Sequence, residues 1–193
     1  MTTDINPGDI LYQELAPEHF DGVITLGNEV QGDGYLNEDS LKDMYDKSFH
    51  GGVNASWVAL YHGKVVGFRL TYAHSKWQED KWCTPDDWPV DATRVCYFKC
   101  NTVDPAMQGA GIGSTMLKLS VEQAKKQGAQ AGLAHIWLAS PGNSAYRYFS
   151  KNGGVLIKKH ADKWRYESIY EGYECPVCPA HCECEGAEML LEF

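Results

Sequence analysis

Hydrophobic and polar positions change their spacing along this chain, and each change marks an element. Residues 9–15 read as a first strand. Pro17 and Glu18 then open a helix, since proline suits a first turn and a glutamate complements the dipole. Phe20, Val23, Ile24, Leu26 and Gly27 follow at helical spacing. Gly32 to Gly34 break the chain, and Asn37 to Ser40 start a second helix that runs through Ser48, with Leu41, Met44 and Tyr45 on one face. Residues 55–61 and 64–72 are two strands about a tight His62-Gly63 turn, a hairpin signal. A strand at 95–103 precedes a glycine-rich stretch. Ile112, Met116, Leu117, Val121 and Ala124 then form a helical stripe, which Gly128 caps. Residues 131–139 are apolar on both faces, as a strand covered by helices on both sides would be. A helix over 144–151 stops at Asn152-Gly153-Gly154; strands at 154–160 and 187–193 complete the series.

The stretch between the 95–103 strand and the helix after it runs Val103-Asp104-Pro105-Ala106-Met107-Gln108-Gly109-Ala110-Gly111-Ile112-Gly113-Ser114. A glycine-rich turn at a helix start presents bare N–H groups at the positive end of the dipole and so suits a phosphate. Glycines at alternate positions let the main chain approach the anion without a Cβ in the way. Two phosphate motifs are excluded. The dinucleotide pattern needs its third glycine where Ser114 stands and an acid about 20 residues on. The P-loop needs a Gly-Lys-Ser/Thr run, which the chain lacks.

The run Gln108 to Ser114, after Val103-Asp104-Pro105, resembles the acetyl-CoA signature of the GNAT N-acetyltransferases, Gln/Arg-x-x-Gly-x-Gly/Ala. Gln108, Gly111 and Gly113 occupy its fixed positions. The resemblance implies a single GNAT-type α/β domain over 1–193: a mixed, mostly antiparallel sheet flanked by helices, splayed where the strand at 95–103 diverges from that at 131–139. It implies acetyl-CoA as cosubstrate. The pyrophosphate would lie on the backbone N–H groups of Gln108, Gly109, Ala110, Gly111, Ile112, Gly113 and Ser114, and the pantetheine arm along Asn101, Thr102 and Val103. The implied reaction is direct transfer of an acetyl group to a primary amine, on a small molecule or a peptide.

A second motif of that family, Asn-x-x-Ala-x-x-x-Tyr-x-x-x-Gly-Phe, is matched in part. With Ala145 and Gly153 aligned, its asparagine falls on Gly142, with Asn143 one residue later; its tyrosine falls on Phe149 and its phenylalanine on Gly154. That tyrosine commonly protonates the leaving thiolate, and Phe149 has no proton to give. Tyr146, one turn earlier on the same helical face, is the candidate substitute, with packing as the competing role. Asn143 is a candidate cofactor contact. The departure keeps open a second class of function, a non-catalytic acyl-CoA-binding or protein-interaction module. His74, Glu79 and Asp80 are candidate bases. His135, inside an apolar strand, reads as a core histidine.

Composition narrows the partners. The net charge of −9 argues against nucleic acid and anionic membranes and tolerates a cationic amine. Met1 to Ile10 is polar and unlike a signal peptide, and no stretch approaches 18 apolar residues. The expected compartment is the cytoplasm, where cysteines stay reduced or metal-bound; a homodimer is left open.

Two stretches stand apart. Residues 74–93 are a long insertion with Trp77, Trp82 and Trp88 and the acids Glu79, Asp80, Asp86 and Asp87. It is either an aromatic, acidic lid over the acceptor or a surface excursion with its own tryptophan cluster. Residues 173–186 hold four of the seven cysteines. Cys175-x-x-Cys178 can turn two thiolates onto one ion, and Cys182-x-Cys184 could complete a four-sulfur tetrahedron, with His181 as a substitute ligand. A structural zinc site is the first reading; free thiols, a disulfide or an iron–sulfur cluster are the others. Cys96 and Cys100, about 13 Å apart along a strand, are too distant to share an ion.

Overall fold

The structure, a computed structural model, describes residues 4–193, so Met1 to Thr3 of the polar N-terminal stretch lie outside the described residues. The chain forms two compact units. The first runs up to Trp77 and includes Cys96–Gln130; the second combines Gln78–Val95 with Ala131–Phe193.

In the first unit, period-two alternation in the strands sorts side chains into two cores. Its sheet has the order β1 (Ile10–Glu14), β4 (Trp57–Tyr61), β5 (Lys64–Tyr72), β6 (Val95–Val103), every neighbour antiparallel. Val58, Val65, Phe68 and Leu70 join Val23 and Leu26 of α1 (Phe20–Gln31) and Leu41 of α2 (Glu38–Asp46). Ala59 and Val66 instead join Ile10, Met107, and Ile112 and Met116 of α3 (Ile112–Gln127). Helices therefore cover both faces, and β5 is buried from Val65 to Tyr72. Local signals fix the helix ends. Asn37 and Ser40 form a reciprocal capping box at α2. Gly128 ends α3 in the left-handed region at φ 99°. A two-residue ribbon, β2 (Phe49–His50) with β3 (Val53–Asn54), is too short to leave a periodic signature.

The second unit has the order β7 (Ala131–Trp137), β9 (Gly186–Glu192), β8 (Val155–His160), again antiparallel. The last strand in sequence is thus the central one, which explains why residues 186–191 are all buried. α4 (Ser144–Lys151) buries Phe149. α5 (Arg165–Tyr170) buries no residue, so it carries no apolar stripe by which the sequence could announce it.

The insertion folds onto this second unit through a buried carboxylate. Glu188 in mid-β9 is 0% exposed. It accepts hydrogen bonds from Thr84 N–H at 2.9 Å, Thr84 Oγ1–H at 2.8 Å, Trp88 Nε1–H at 2.7 Å and His160 Nε2–H at 2.9 Å. Trp88 is itself buried. His135 Nε2 donates to the Trp82 carbonyl at 2.6 Å, and burial holds its pKa below the ordinary histidine value, so it is the satisfied core histidine expected. Burial alone would push the Glu188 carboxyl up; the bonds from His160, Thr84 and Trp88 outweigh it and hold the pKa below the usual 4.5.

Removing that carboxylate strands several buried donors. Glu188→Ala should cost about 3 kcal/mol or more, read as a lower urea midpoint. Because its folded pKa is depressed, Glu188 contributes its stability above pH 4.5 and loses it as the pH falls through the lower folded value. The stability difference between the wild type and Glu188→Gln should be flat above that pH and shrink below it.

Candidate active site and cysteine cluster

The glycine-rich turn is seated by the first unit's sheet. As β6 ends, Asp104 N–H donates to the Val66 carbonyl of β5 at 2.8 Å. The Asp104 carboxylate accepts from Ala106 N–H at 2.9 Å and opens a single 3₁₀ turn, Pro105–Met107, whose Met107 is buried. Beyond it, Gly109 and Gly111 take φ of 87° and 75°, a region where a Cβ is strained. Their N–H groups and that of Ala110 meet no acceptor among the described residues, and no atom lies within 4 Å of a Cβ placed on either glycine. The turn is open and rich in donors at the N-terminus of α3, the arrangement that suits an anion.

Gly67 of β5 sets where that helix begins. A Cβ there would stand 2.9 Å from Ile112 Cγ2 and 3.2 Å from Met116 Cε, so the first turn of α3 packs directly on the strand's backbone. Gln108, Gly109 and Gly111 are exposed, Ala110, Gly113 and Ser114 are half-buried, and Ile112 points into the core. The turn thus offers main-chain groups while its one large apolar side chain anchors it.

Asn101, Thr102 and Val103 pair along β5, opposite Arg69, Phe68 and Gly67. Thr102 is buried, and its Oγ1 lies 3.4 Å from Gln31 Nε2. Asn101 Oδ1 is a buried acceptor with no donor among the described residues, a vacancy that an amide N–H of a ligand would fill. One residue back, the half-buried Cys100 thiol bonds the Tyr35 hydroxyl. Next to it, paired Tyr72 and Tyr97 have ring centroids 6.2 Å apart, and Trp77 lies 5.0 Å from Tyr97. Sequence reasoning missed this aromatic row, because single aromatics on separate strands leave no local motif. Of the candidate bases, His74 is committed to the Gln127 carbonyl at 3.0 Å and stacks on His50. Asp80 caps its own loop through Trp82 N–H at 2.8 Å.

In the second unit Asn143 is exposed and left-handed, at φ 53°, as N-cap of α4. Tyr146 is half-buried three residues before the buried Phe149. Phe149 fills core space: a Cβ on Gly154 would fall 2.5 Å from its Cε1.

The four cysteines of the second unit converge. Their sulfurs all lie within 4.8 Å of one another, and Cys184 Sγ is 3.7 Å from that of Cys175 and 3.6 Å from that of Cys178. Cys178 N–H points at Cys175 Sγ and Glu183 N–H at Cys178 Sγ, each at 3.4 Å. Burial pushes the Cys175 thiol up, but the N–H groups of Cys178 and Val177 outweigh it and bring the pKa down to about 7. Burial pushes Cys182 up to about 12. This donor set could hold a soft metal ion.

The family model described as the Acetyltransferase (GNAT) family matches residues 11–153. None of the curated proteins matches the chain. Among solved structures, yncA of Salmonella typhimurium, described as a putative acetyltransferase with its cofactor acetyl-CoA, superposes with a TM-score of 0.67 at 15% identity, covering 95% of this chain and 94% of its own. The ribosomal-protein-S18-alanine N-acetyltransferase of Escherichia coli gives 0.65 at 11%, covering 95% and 93%. Ard1 of Thermoplasma volcanium gives 0.66 at 13%, covering 95% and 97%. These likenesses establish the fold. The cysteine cluster lies beyond the matched residues.

Gly67→Ala should cost about 1–3 kcal/mol by forcing Ile112 off the strand. It should also weaken coenzyme A binding, measured by calorimetry, because it displaces the turn. Gly111→Ala, which meets no side chain, should weaken binding through backbone strain of about 1–2 kcal/mol.

Proposed function

Since this chain belongs to the acetyltransferase (GNAT) family, we propose that it transfers an acetyl group from acetyl-CoA directly to a primary amine. The observation that carries this reading is the turn itself: N–H groups of Gly109, Ala110 and Gly111 that meet no acceptor among the described residues, at the start of a helix seated on β5. These and the neighbouring amides of Gln108 and Ile112 to Ser114 would take the pyrophosphate. Asn101, Thr102 and Val103 would take the pantetheine, the Asn101 Oδ1 accepting one of its amide N–H groups.

In the transfer, a neutral amine attacks the thioester carbonyl carbon. A C–N bond forms, the tetrahedral oxyanion collapses, and the C–S bond breaks. The attacking nitrogen must lose a proton to a base or to water, and the leaving thiolate must gain one. A main-chain N–H near Asn101 to Val103 would steady the oxyanion. We assign the thiolate's proton to Tyr146. The aromatic row Tyr72, Tyr97 and Trp77 suits the acceptor, because ring faces attract a protonated amine before it is deprotonated. The 74–93 insertion, which carries Trp77, would then help select the acceptor.

Acetyl-CoA and the amine are the partners in this reading, in the cytoplasm. Among the described residues no helix is long and apolar enough to cross a membrane. The four-cysteine cluster would hold a structural zinc ion that takes no part in the transfer. A non-catalytic acyl-CoA-binding module is the second reading, favoured by Phe149 standing where the family's tyrosine falls.

Acetyl-CoA turnover against a panel of peptides, polyamines and aminoglycosides tests the proposal. The expected outcome is stoichiometric release of free thiol with at least one amine. Tyr146→Phe should lower kcat about 10²-fold or more, with coenzyme A affinity unchanged. Tight binding with no turnover on any amine would favour the non-catalytic module.

A further inference from the structure

The cysteine cluster sits where a bound metal ion would act on the fold of the second unit. Cys184 precedes β9 by two residues, where Gly186 pairs with Trp137, the last residue of β7. Just beyond, Leu138 N–H donates to the Glu185 carbonyl at 3.2 Å. Trp137 Nε1–H is buried without a nitrogen or oxygen acceptor; its neighbour is Cys184 Sγ, though the pair falls short of well-formed hydrogen-bond geometry. On the other side, Lys163 N–H donates to the Cys184 carbonyl at 3.3 Å. Cys182 N–H donates to Ser168 Oγ of α5 at 2.8 Å. The four sulfurs therefore sit at a junction of the end of β7, the start of β9, and α5.

The sulfur spacing selects among occupants. A disulfide needs sulfurs about 2.05 Å apart. Zinc–sulfur bonds of about 2.3 Å place tetrahedral sulfurs about 3.8 Å apart, close to the 3.7 and 3.6 Å observed. The N–H groups aimed at Cys175 and Cys178 are the donors that thiolate ligands need.

We propose that Cys175, Cys178, Cys182 and Cys184 bind one zinc ion that clasps the end of β7, and that this clasp positions residues 138–146, the stretch carrying Asn143 and Tyr146. The role of the positioned stretch rests on the acyltransferase reading above; the clasp does not. The segment from Leu138 to Asn143, beyond the paired strand, has only one short 3₁₀ turn of its own. A tetrahedral centre would replace that missing packing with covalent-strength contacts, as a small segment without a core requires. Trp137 is the positioning residue that links the metal to the strand.

The test uses the full chain purified without chelator. Elemental analysis should find about one zinc per chain. Cobalt exchanged for zinc should give the thiolate charge-transfer and visible bands of a tetrahedral sulfur site. Cys178→Ser/Cys182→Ser should abolish both signals, and Cys83→Ser should keep them. Hydrogen exchange is then compared with and without chelator. Amides of 137–146 and 163–185 should exchange about tenfold faster or more once zinc is removed. Those of the 103–114 turn should not change, and coenzyme A affinity should stay within about twofold. Trp137→Phe should speed exchange in 138–146 while zinc stays bound. Metal-free protein, a different metal, or paired disulfides would overturn the site. Bound zinc with unchanged exchange at 137–146 would overturn the clasp. A chain that holds zinc and its clasp but binds no coenzyme A would sink the acyltransferase reading alone.

Discussion

The contact between Gly67 and Ile112 is the constraint on which the glycine-rich turn depends. An α-helix presents its N-terminal amides along its own axis, so a phosphate site is only as well placed as the first turn of the helix. Here that turn lies against a strand with no side chain at the contact, and Ile112 Cγ2 fills the space a Cβ would take. The Asp104 N–H to Val66 bond fixes the other end of the connection one residue along the same strand. Two attachments to adjacent residues of β5 leave the intervening chain few choices. The left-handed glycines at 109 and 111 are what let it close between them. The donors are thus held outward by the same packing that buries Ile112.

The second unit solves a different problem by different means. Its central strand, β9, comes last in the chain, and both of its flanking segments arrive from far away in sequence. Long-range closure is entropically costly, and polar clasps concentrate the compensation at single points. Glu188 gathers three segments, around residues 84–88, 160 and 188, on one carboxylate. The cysteines gather the end of β7, α5 and the start of β9 in a like manner. The Glu188 clasp is specific in a way that apolar packing is not, because each donor satisfies a particular acceptor, and a slip of one residue in β9 would turn Glu188 to the opposite face.

Legibility in the sequence follows from this division. The first unit could be read almost strand by strand, since its elements bury regular stripes: Val58 and Ala59 declare opposite faces, and Gly128 marks a helix end with a left-handed cap. The glycine-rich turn was legible because its demands are local, a glycine at each left-handed residue and a helix directly after. The four cysteines were legible as a donor set for the same reason. α5 was not, because it buries nothing, and neither was the aromatic row, in which strand register brings Tyr72 to Tyr97 and the loop after β5 brings Trp77 to Tyr97. The insertion was legible as long and tryptophan-rich. Its attachment was not, since Glu188 lies 100 residues beyond Trp88 and reads as one more charged residue in a terminal strand.

Phe149 illustrates how a local motif can be broken by packing. The position that the family's tyrosine would occupy is here 1% exposed and pressed against Gly154, where a phenol hydroxyl would need a buried acceptor. A helix has only one face toward the core, so a proton donor must sit at its margin, half-buried, with the hydroxyl reaching out. On α4 Tyr146 is half-buried one turn before Phe149, and Gly142 and Asn143, both left-handed, lead into the helix just ahead of it. Left-handed residues at a helix entrance fix its direction closely but do not hold the entrance in place; some contact outside the helix has to do so. The strand end at Trp137, a few residues upstream, is the nearest fixed point along the chain, and it abuts the sulfur cluster.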